Sequence, residues 1–224
     1  MTPRQPGPQR RVVRAPDLRV RSTLAGEAQA SAAEVERALT VADDPSAAAF
    51  FDVDNTIVQG ASIYHLARGM YHRGFFGPRE MVGALGKQVW FRVAGAENAG
   101  HVADARTAAL SVIAGHTVAE LQSLADEVFD EGMAYRIWPG TRALAQLHLD
   151  RGERVWLVTA APVEIAVVIA RRLGLTGAMG TVAEHVDGVY TGRLVGDLLH
   201  GPAKAEAIKA LAAREGLDLA RCSA

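Results

Sequence analysis

Cysteine is almost missing from this 224-residue chain. Cys222 is the single one, so no disulfide framework and no cysteine-based zinc site can be built from it. Lysine is nearly as scarce: the 24 basic residues are 21 Arg and 3 Lys. Long apolar runs are lacking too. Residues 81–96 (MVGALGKQVWFRVAGA) come nearest to a membrane span, and Lys87 and Arg92 interrupt them. The basic N-terminus is not followed by the apolar stretch of a signal peptide. A cytoplasmic protein with no transmembrane segment is therefore expected. Charge of one sign is also absent, the formal net charge being −1, which argues against a nucleic-acid partner. No glycine-rich fingerprint stands at a strand–helix junction, so neither a nicotinamide cofactor nor a P-loop nucleotide is supported.

What is present is an apolar fraction of 49%, ordinary for a globular chain. Residues 1–30 read as a basic flexible arm, the first 22 carrying six Arg, one Asp and four Pro without apolar periodicity. Ser31–Glu34 is a capping box opening a short helix. The run AAAFFDVD, residues 47–54, reads as a strand buried on both faces of a parallel sheet. Residues 61–135 read as helices without clear strands. A second capping box lies at Thr117–Glu120, and Tyr64, Leu66, Ala67, Tyr71 and Phe75 suggest an earlier helix. From residue 139 a strand–helix rhythm returns: a helix over 141–151, a strand over 154–159, and a helix from Pro162 to near Gly174. A hairpin follows over 182–195 with Asp187-Gly188 as its turn, then a helix from Gly201-Pro202 to about Glu215. Residues 217–222 start toward another strand. The pattern is an α/β fold, doubly wound and Rossmann-like, with a mainly parallel sheet. Residues 31–60 and 136–224 form its core, and 61–135 are an inserted helical domain.

Asp52 and Asp54 stand two residues apart at the end of the first strand, on one face. Two carboxylates this close repel each other, and a divalent cation would resolve the repulsion; oxygen ligands suit Mg²⁺. Thr159 ends the second strand just before a helix N-terminus, a favourable place for an anion. Lys204 falls in the first turn of its helix, where a cation opposes the helix dipole by about 0.3–1 kcal/mol. A bound anion would account for a lysine there, in a chain that otherwise writes arginine. The seven histidines do not cluster at metal-ligand spacing, and His65 alone lies near the candidate site. Trp90, Phe91 and Trp138 are expected in the core rather than as base-stacking residues.

Taken in order, Asp52-Val-Asp54-Asn-Thr56, Thr159 and Lys204 resemble three motifs of the haloacid dehalogenase (HAD) superfamily of phosphohydrolases, over residues 46–224. The helical insert corresponds to that superfamily's C1 cap, and the chain resembles its phosphoserine-phosphatase-like IB subfamily. The resemblance implies a Mg²⁺-dependent phosphomonoester hydrolase working through an aspartyl-phosphate. Asp52 would be the nucleophile and Asp54 the general acid–base, both reaching the metal. Thr159 and Lys204 would bind the substrate phosphate. A phosphotransferase or mutase of the same superfamily uses the same residues.

Two departures stand out. The acidic fourth motif, which supplies further metal ligands, is missing after Lys204. The chain therefore reads as a fragment or, if it ends there naturally, as a non-catalytic regulatory relative. Phosphoserine phosphatases also carry a glutamate shortly after the first motif, where this chain reads Gln59-Gly60-Ala61-Ser62. That lowers phosphoserine as substrate. The aromatic content of the insert (Tyr64, Tyr71, Phe75, Phe76 and Trp90) suggests a larger or more apolar phosphomonoester, a lipid-derived one included.

Overall fold

The computed structural model describes residues 44–76 and 109–224. The basic arm, the capping box at Ser31–Glu34, the run over 81–96 and the rings of Trp90 and Phe91 lie outside the described residues.

Strand β1 (Ala48–Phe51) is flanked by β2 (Arg154–Pro162), which runs parallel to it with Phe51 opposite Leu157. Strand β3 (Gly177–Thr181) pairs parallel with β2 on its other side. At the open edge of β1, the Ser223 N–H donates to Ala48 O and the Phe50 N–H to Ser223 O, each at 2.9 Å. The apolar approach read in residues 217–222 thus ends in parallel pairing with the sheet.

Five α-helices are described: α1 (Ser62–His72), α2 (Val118–Val128), α3 (Pro139–Asp150), α4 (Val163–Leu173) and α5 (Pro202–Glu215). Side chains alternate across a strand, and this sorts the core into two layers. Ala48, Phe50 and Val158 pack with Leu211 and Ile208 of α5 on one face. Ala49 and Val155 pack with Ala145 and Leu149 of α3 on the other. Leu157, with the α4 residues Ile165, Val168 and Ile169, continues that second layer. Helices on both faces of a parallel sheet make the doubly wound α/β arrangement.

The second layer also takes in the insert. Leu66 and Met70 of α1 join Leu121, Leu124 and Ala125 of α2 in one apolar cluster with Val53, Ile57 and Leu157. The two helices approach closely at Gly69, where an added Cβ would lie 2.4 Å from Val128 Cγ2. Thr117 caps α2 with both halves of its capping box formed. Tyr64 departs from expectation: its ring is 65% exposed, because α1 buries Ser62, Leu66 and Met70 instead. Phe75 stacks on His116 and Phe76 packs against Tyr71, so these rings are occupied in packing.

Strands β4 (Ala183–Val186) and β5 (Val189–Leu194) form the expected hairpin. Asp187 and Gly188 both take positive φ, 50° and 79°, as a two-residue turn requires. Two boundaries differ from the sequence reading. Pro162 is the N-cap of α4 rather than its first helical residue, and β2 runs on to it. Trp138, expected in the core, is the N-cap of α3 and is 42% exposed; its place is fixed by its backbone N–H, which donates to Ile57 O.

Candidate active site

The site lies at the carboxyl ends of β1 and β2. Strand β1 stops at Phe51, earlier than the acids, because the following loop folds on itself. The N–H groups of Thr56, Ile57 and Val58 all converge on Val53 O, at 3.3, 3.0 and 2.9 Å. Asn55 takes φ 58°, a left-handed conformation that Asn tolerates, and its Oδ1 accepts the Gly60 N–H. This closed loop sets Asp52 and Asp54 at the mouth of the sheet.

Neither of the two carboxylates is fully buried. Asp52 is exposed, and its Oδ1 accepts from Lys204 Nζ at 2.8 Å and from the Val53 N–H at 2.9 Å. Asp54 is half-buried, and its Oδ1 accepts both the backbone N–H and the hydroxyl of Ser62, at 2.8 and 2.6 Å. Each carboxylate has its own partner, one charged and one neutral.

Helix α5 brings Lys204 across 152 residues of sequence. Gly201 is its N-cap without a side-chain cap, Pro202 follows, and Lys204 stands in the first turn as expected. The anion that offsets its unfavourable place on the dipole is Asp52 itself.

Thr159 sits two residues beyond Leu157, the β1 partner of β2, and is 1% exposed. Its Oγ1 accepts the Ala161 N–H at 3.1 Å, which leaves the hydroxyl proton free to donate. The sequence reading missed Thr181, at the end of β3. Its hydroxyl donates to Ala160 O at 2.7 Å and accepts the Leu199 N–H at 3.1 Å. It thereby ties the Thr159 loop to the segment that leads into Lys204. Ser62 was missed as well; its signal was a hydroxyl at a helix start, where an unpaired N–H needs an acceptor.

Two hinge segments border the site. The Gln59 N–H donates to Arg136 O at 2.8 Å and the Trp138 N–H to Ile57 O at 2.9 Å, so the entry to and exit from the insert are paired next to Asp54. His65, one turn into α1, has its pKa lowered by burial first and then by the charges of Arg136 and Arg68.

Asp52 and Asp54 are hard oxygen donors of the kind Mg²⁺ takes. Among the described residues neither Oδ2 receives a hydrogen bond, so each carboxylate keeps one oxygen for a ligand. The donors fit magnesium in kind and number two; among the described residues no three His, Cys, Asp or Glu side chains group as a metal site. A cavity of about 350 Å³ lies elsewhere, between α2, α4 and β4, and none of the four motif residues lines it. No helix among the described residues is long and apolar enough to cross a membrane.

Comparison with known proteins agrees with this geometry. The family model of haloacid dehalogenase-like hydrolases matches residues 49–224. Phosphoserine phosphatase SerB1 of Mycobacterium tuberculosis is 57% identical over 181 residues, which are 81% of this chain and 59% of that protein. The chain thus spans about three fifths of the length of the curated relatives it matches most strongly. Among solved structures, a Bordetella pertussis Tohama I protein of unknown function superposes with TM-score 0.68 at 24% identity, covering 82% of this chain and 79% of that one. A HAD family hydrolase from Salmonella enterica serovar Typhi does so with TM-score 0.55 at 16% identity, covering 83% and 56%. At these identities the two structures show the fold alone.

Proposed function

The chain belongs to the haloacid dehalogenase-like hydrolases, and on that footing we propose that it carries the active site of a cytoplasmic, Mg²⁺-dependent phosphomonoester hydrolase. The observation that carries this reading is the Lys204–Asp52 contact at 2.8 Å, which brings a cation from α5 onto the one exposed carboxylate at the end of β1.

A carboxylate oxygen of Asp52 attacks the phosphorus, and the bond from phosphorus to the leaving oxygen breaks. Asp54, protonated, gives its proton to that oxygen. In the second half Asp54, now a carboxylate, takes a proton from water. The water oxygen attacks the same phosphorus, and the bond to Asp52 breaks to release inorganic phosphate. Lys204 offsets negative charge on Asp52 and on the phosphoryl oxygens, and the Thr159 hydroxyl donates to one of them. Asp52 through its carboxylate and Asp54 through its backbone carbonyl would hold Mg²⁺, which would supply further charge neutralisation at the transferring group. No acid stands in Gln59-Gly60-Ala61-Ser62 to hold an ammonium group, which lowers phosphoserine as substrate. Phe75 and Phe76 are taken up in packing, which leaves a lipid-derived substrate without support from them.

The test is Mg²⁺-dependent phosphate release from a panel of phosphomonoesters by the wild-type chain and by Asp52→Asn. The variant should lose turnover by about 10³-fold or more, as removal of a nucleophile does, while its circular dichroism and melting midpoint stay close to wild type. Equal release by both, or none by either, overturns the reading.

A further inference from the structure

The phosphoryl end of the site is electrically balanced by Lys204 and Asp52; the leaving-group end is not. Helix α1 begins at Asp54, through Ser62, and leads away from it. Ala61, His65, Arg68 and His72 fall at i, i+4, i+7 and i+11, one stripe on the side of α1 next to its buried face. The helix contains no acidic residue. Arg136 joins the stripe from the second hinge segment, one backbone hydrogen bond from Gln59. Arg68 and Arg136 are exposed. Among the described residues neither guanidinium has a hydrogen bond or an ion pair, whereas Arg73, just past the end of α1, is paired with Glu127. The two unpaired charges are close enough to His65 to disfavour its protonation. Exposed cations without an ion pair, placed next to the helix start that holds Asp54, are suited to an anion. A rise of 1.5 Å per residue puts His65 and Arg68 about 5 and 9 Å along the axis from Ser62, within reach of a small leaving group.

We propose that His65, Arg68 and Arg136 bind a second anionic group on the leaving-group side of the substrate. The preferred substrates are then phosphomonoesters that carry a carboxylate or a second phosphate and no ammonium. The inference rests on the phosphatase reading above and names the substrate class of the same site. It disfavours phosphoserine for a reason beyond the lack of an acid in Gln59–Ser62: an ammonium would be placed among cations.

Binding of non-hydrolysable phosphonates to the whole chain in Mg²⁺ buffer, followed by calorimetry, tests this. We expect 4-phosphonobutanoate to bind at least about tenfold more tightly than butylphosphonate, the scale of one charged hydrogen bond. The phosphoserine isostere 2-amino-4-phosphonobutanoate should bind more weakly than its deamino counterpart. Arg68→Ala combined with Arg136→Ala should remove the carboxylate's advantage and leave butylphosphonate affinity unchanged, which also shows that the variant is folded. Propane-1,3-bisphosphonate identifies the source of the anion: tighter binding than 4-phosphonobutanoate points to a second phosphate, weaker to a carboxylate. Equal affinity for the butyl and carboxylate ligands overturns the inference and leaves the phosphatase reading standing, as does a preference that survives the double variant. If no phosphonate binds, the phosphoryl site itself fails, and both readings fall together.

Discussion

Asp52 and Asp54 are two residues apart, yet they belong to differently built regions. Asp52 is answered by the core: its partner, Lys204, stands on a helix that packs on the sheet. Asp54 is answered by the hinge: its partner, Ser62, is the first residue of α1, where the insert begins. A charged partner holds the carboxylate assigned to attack phosphorus and neutralises it. A neutral partner holds the one assigned to exchange protons and leaves its charge uncompensated. The difference separates two tasks. Charge balance at Asp52 is a property of the sheet and α5, while the position of Asp54 is tied to α1 through Ser62. Lid closure in such enzymes excludes water; a displacement of α1 would reach Asp54 through its two hydrogen bonds from Ser62.

The contrast breaks most visibly at Lys204. Lys204→Ala removes the cation from Asp52, and phosphate release should fall by about 10²–10³-fold, the cost of deleting one preorganised charge-stabilising group. Lys204→Arg should restore only part of it, since a planar guanidinium does not replace a compact ammonium at 2.8 Å. A loss below tenfold would mean that the core does not supply the neutralisation assigned to it. On the hinge side, Ser62→Ala removes one hydroxyl from Asp54 and leaves the backbone N–H in place. We expect kcat to drop by about tenfold, near the lower end for a hydrogen bond to a charged group, with KM little changed. Ser62→Thr, which keeps the hydroxyl, should recover the rate. If KM rises while kcat holds, Ser62 shapes substrate binding and not the proton-transfer group.

How far the sequence reached follows the same division. Asp52, Asp54, Thr159 and Lys204 were singled out from local patterns; the structure places the two acids just beyond β1, Thr159 within β2, which runs on to Pro162, and Lys204 in the first turn of α5. The hairpin was legible because Asp187-Gly188 supplies the two positive φ values its turn needs. Contacts made at a distance were not. Local pattern alone asked only for some anion at Lys204; it was the family resemblance that implied charge neutralisation of Asp52, the carboxylate 152 residues earlier that Lys204 contacts. Thr181 joins segments 18 and 21 residues away, which no periodicity records. The phase of α1 was misread for a physical reason. Its buried face uses Ser62 and the close approach at Gly69, residues that apolar counting passes over, while Tyr64, counted in the pattern that predicted the helix, is exposed. The outer half of the insert lies outside the described residues, so expectations placed on Trp90 are neither met nor corrected.

The smallest effect concerns the link between insert and core. Asp126 on α2 is paired with Arg171 and Arg172 on α4. The Arg171 hydrogen bond, together with the nearby charges, holds its carboxyl below the ordinary value of 3.8. A carboxylate whose pKa is lowered by folding contributes stability above its unfolded value and loses it as pH falls through the folded one. The stabilising contribution is thus complete at neutral pH, begins to fall as the pH drops below about 4, and is lost through the lower, folded value. The pair is partly exposed, so it is worth no more than about 1 kcal/mol. Asp126→Asn should therefore melt about 1–4 °C below wild type at pH 7, and the gap should narrow as the pH falls below about 4. If the variant also lowers kcat at pH 7, α2 helps to hold Asp54 through α1, and the insert is a working part of the acid–base group. An unchanged kcat would confine that role to Ser62 and the hinge.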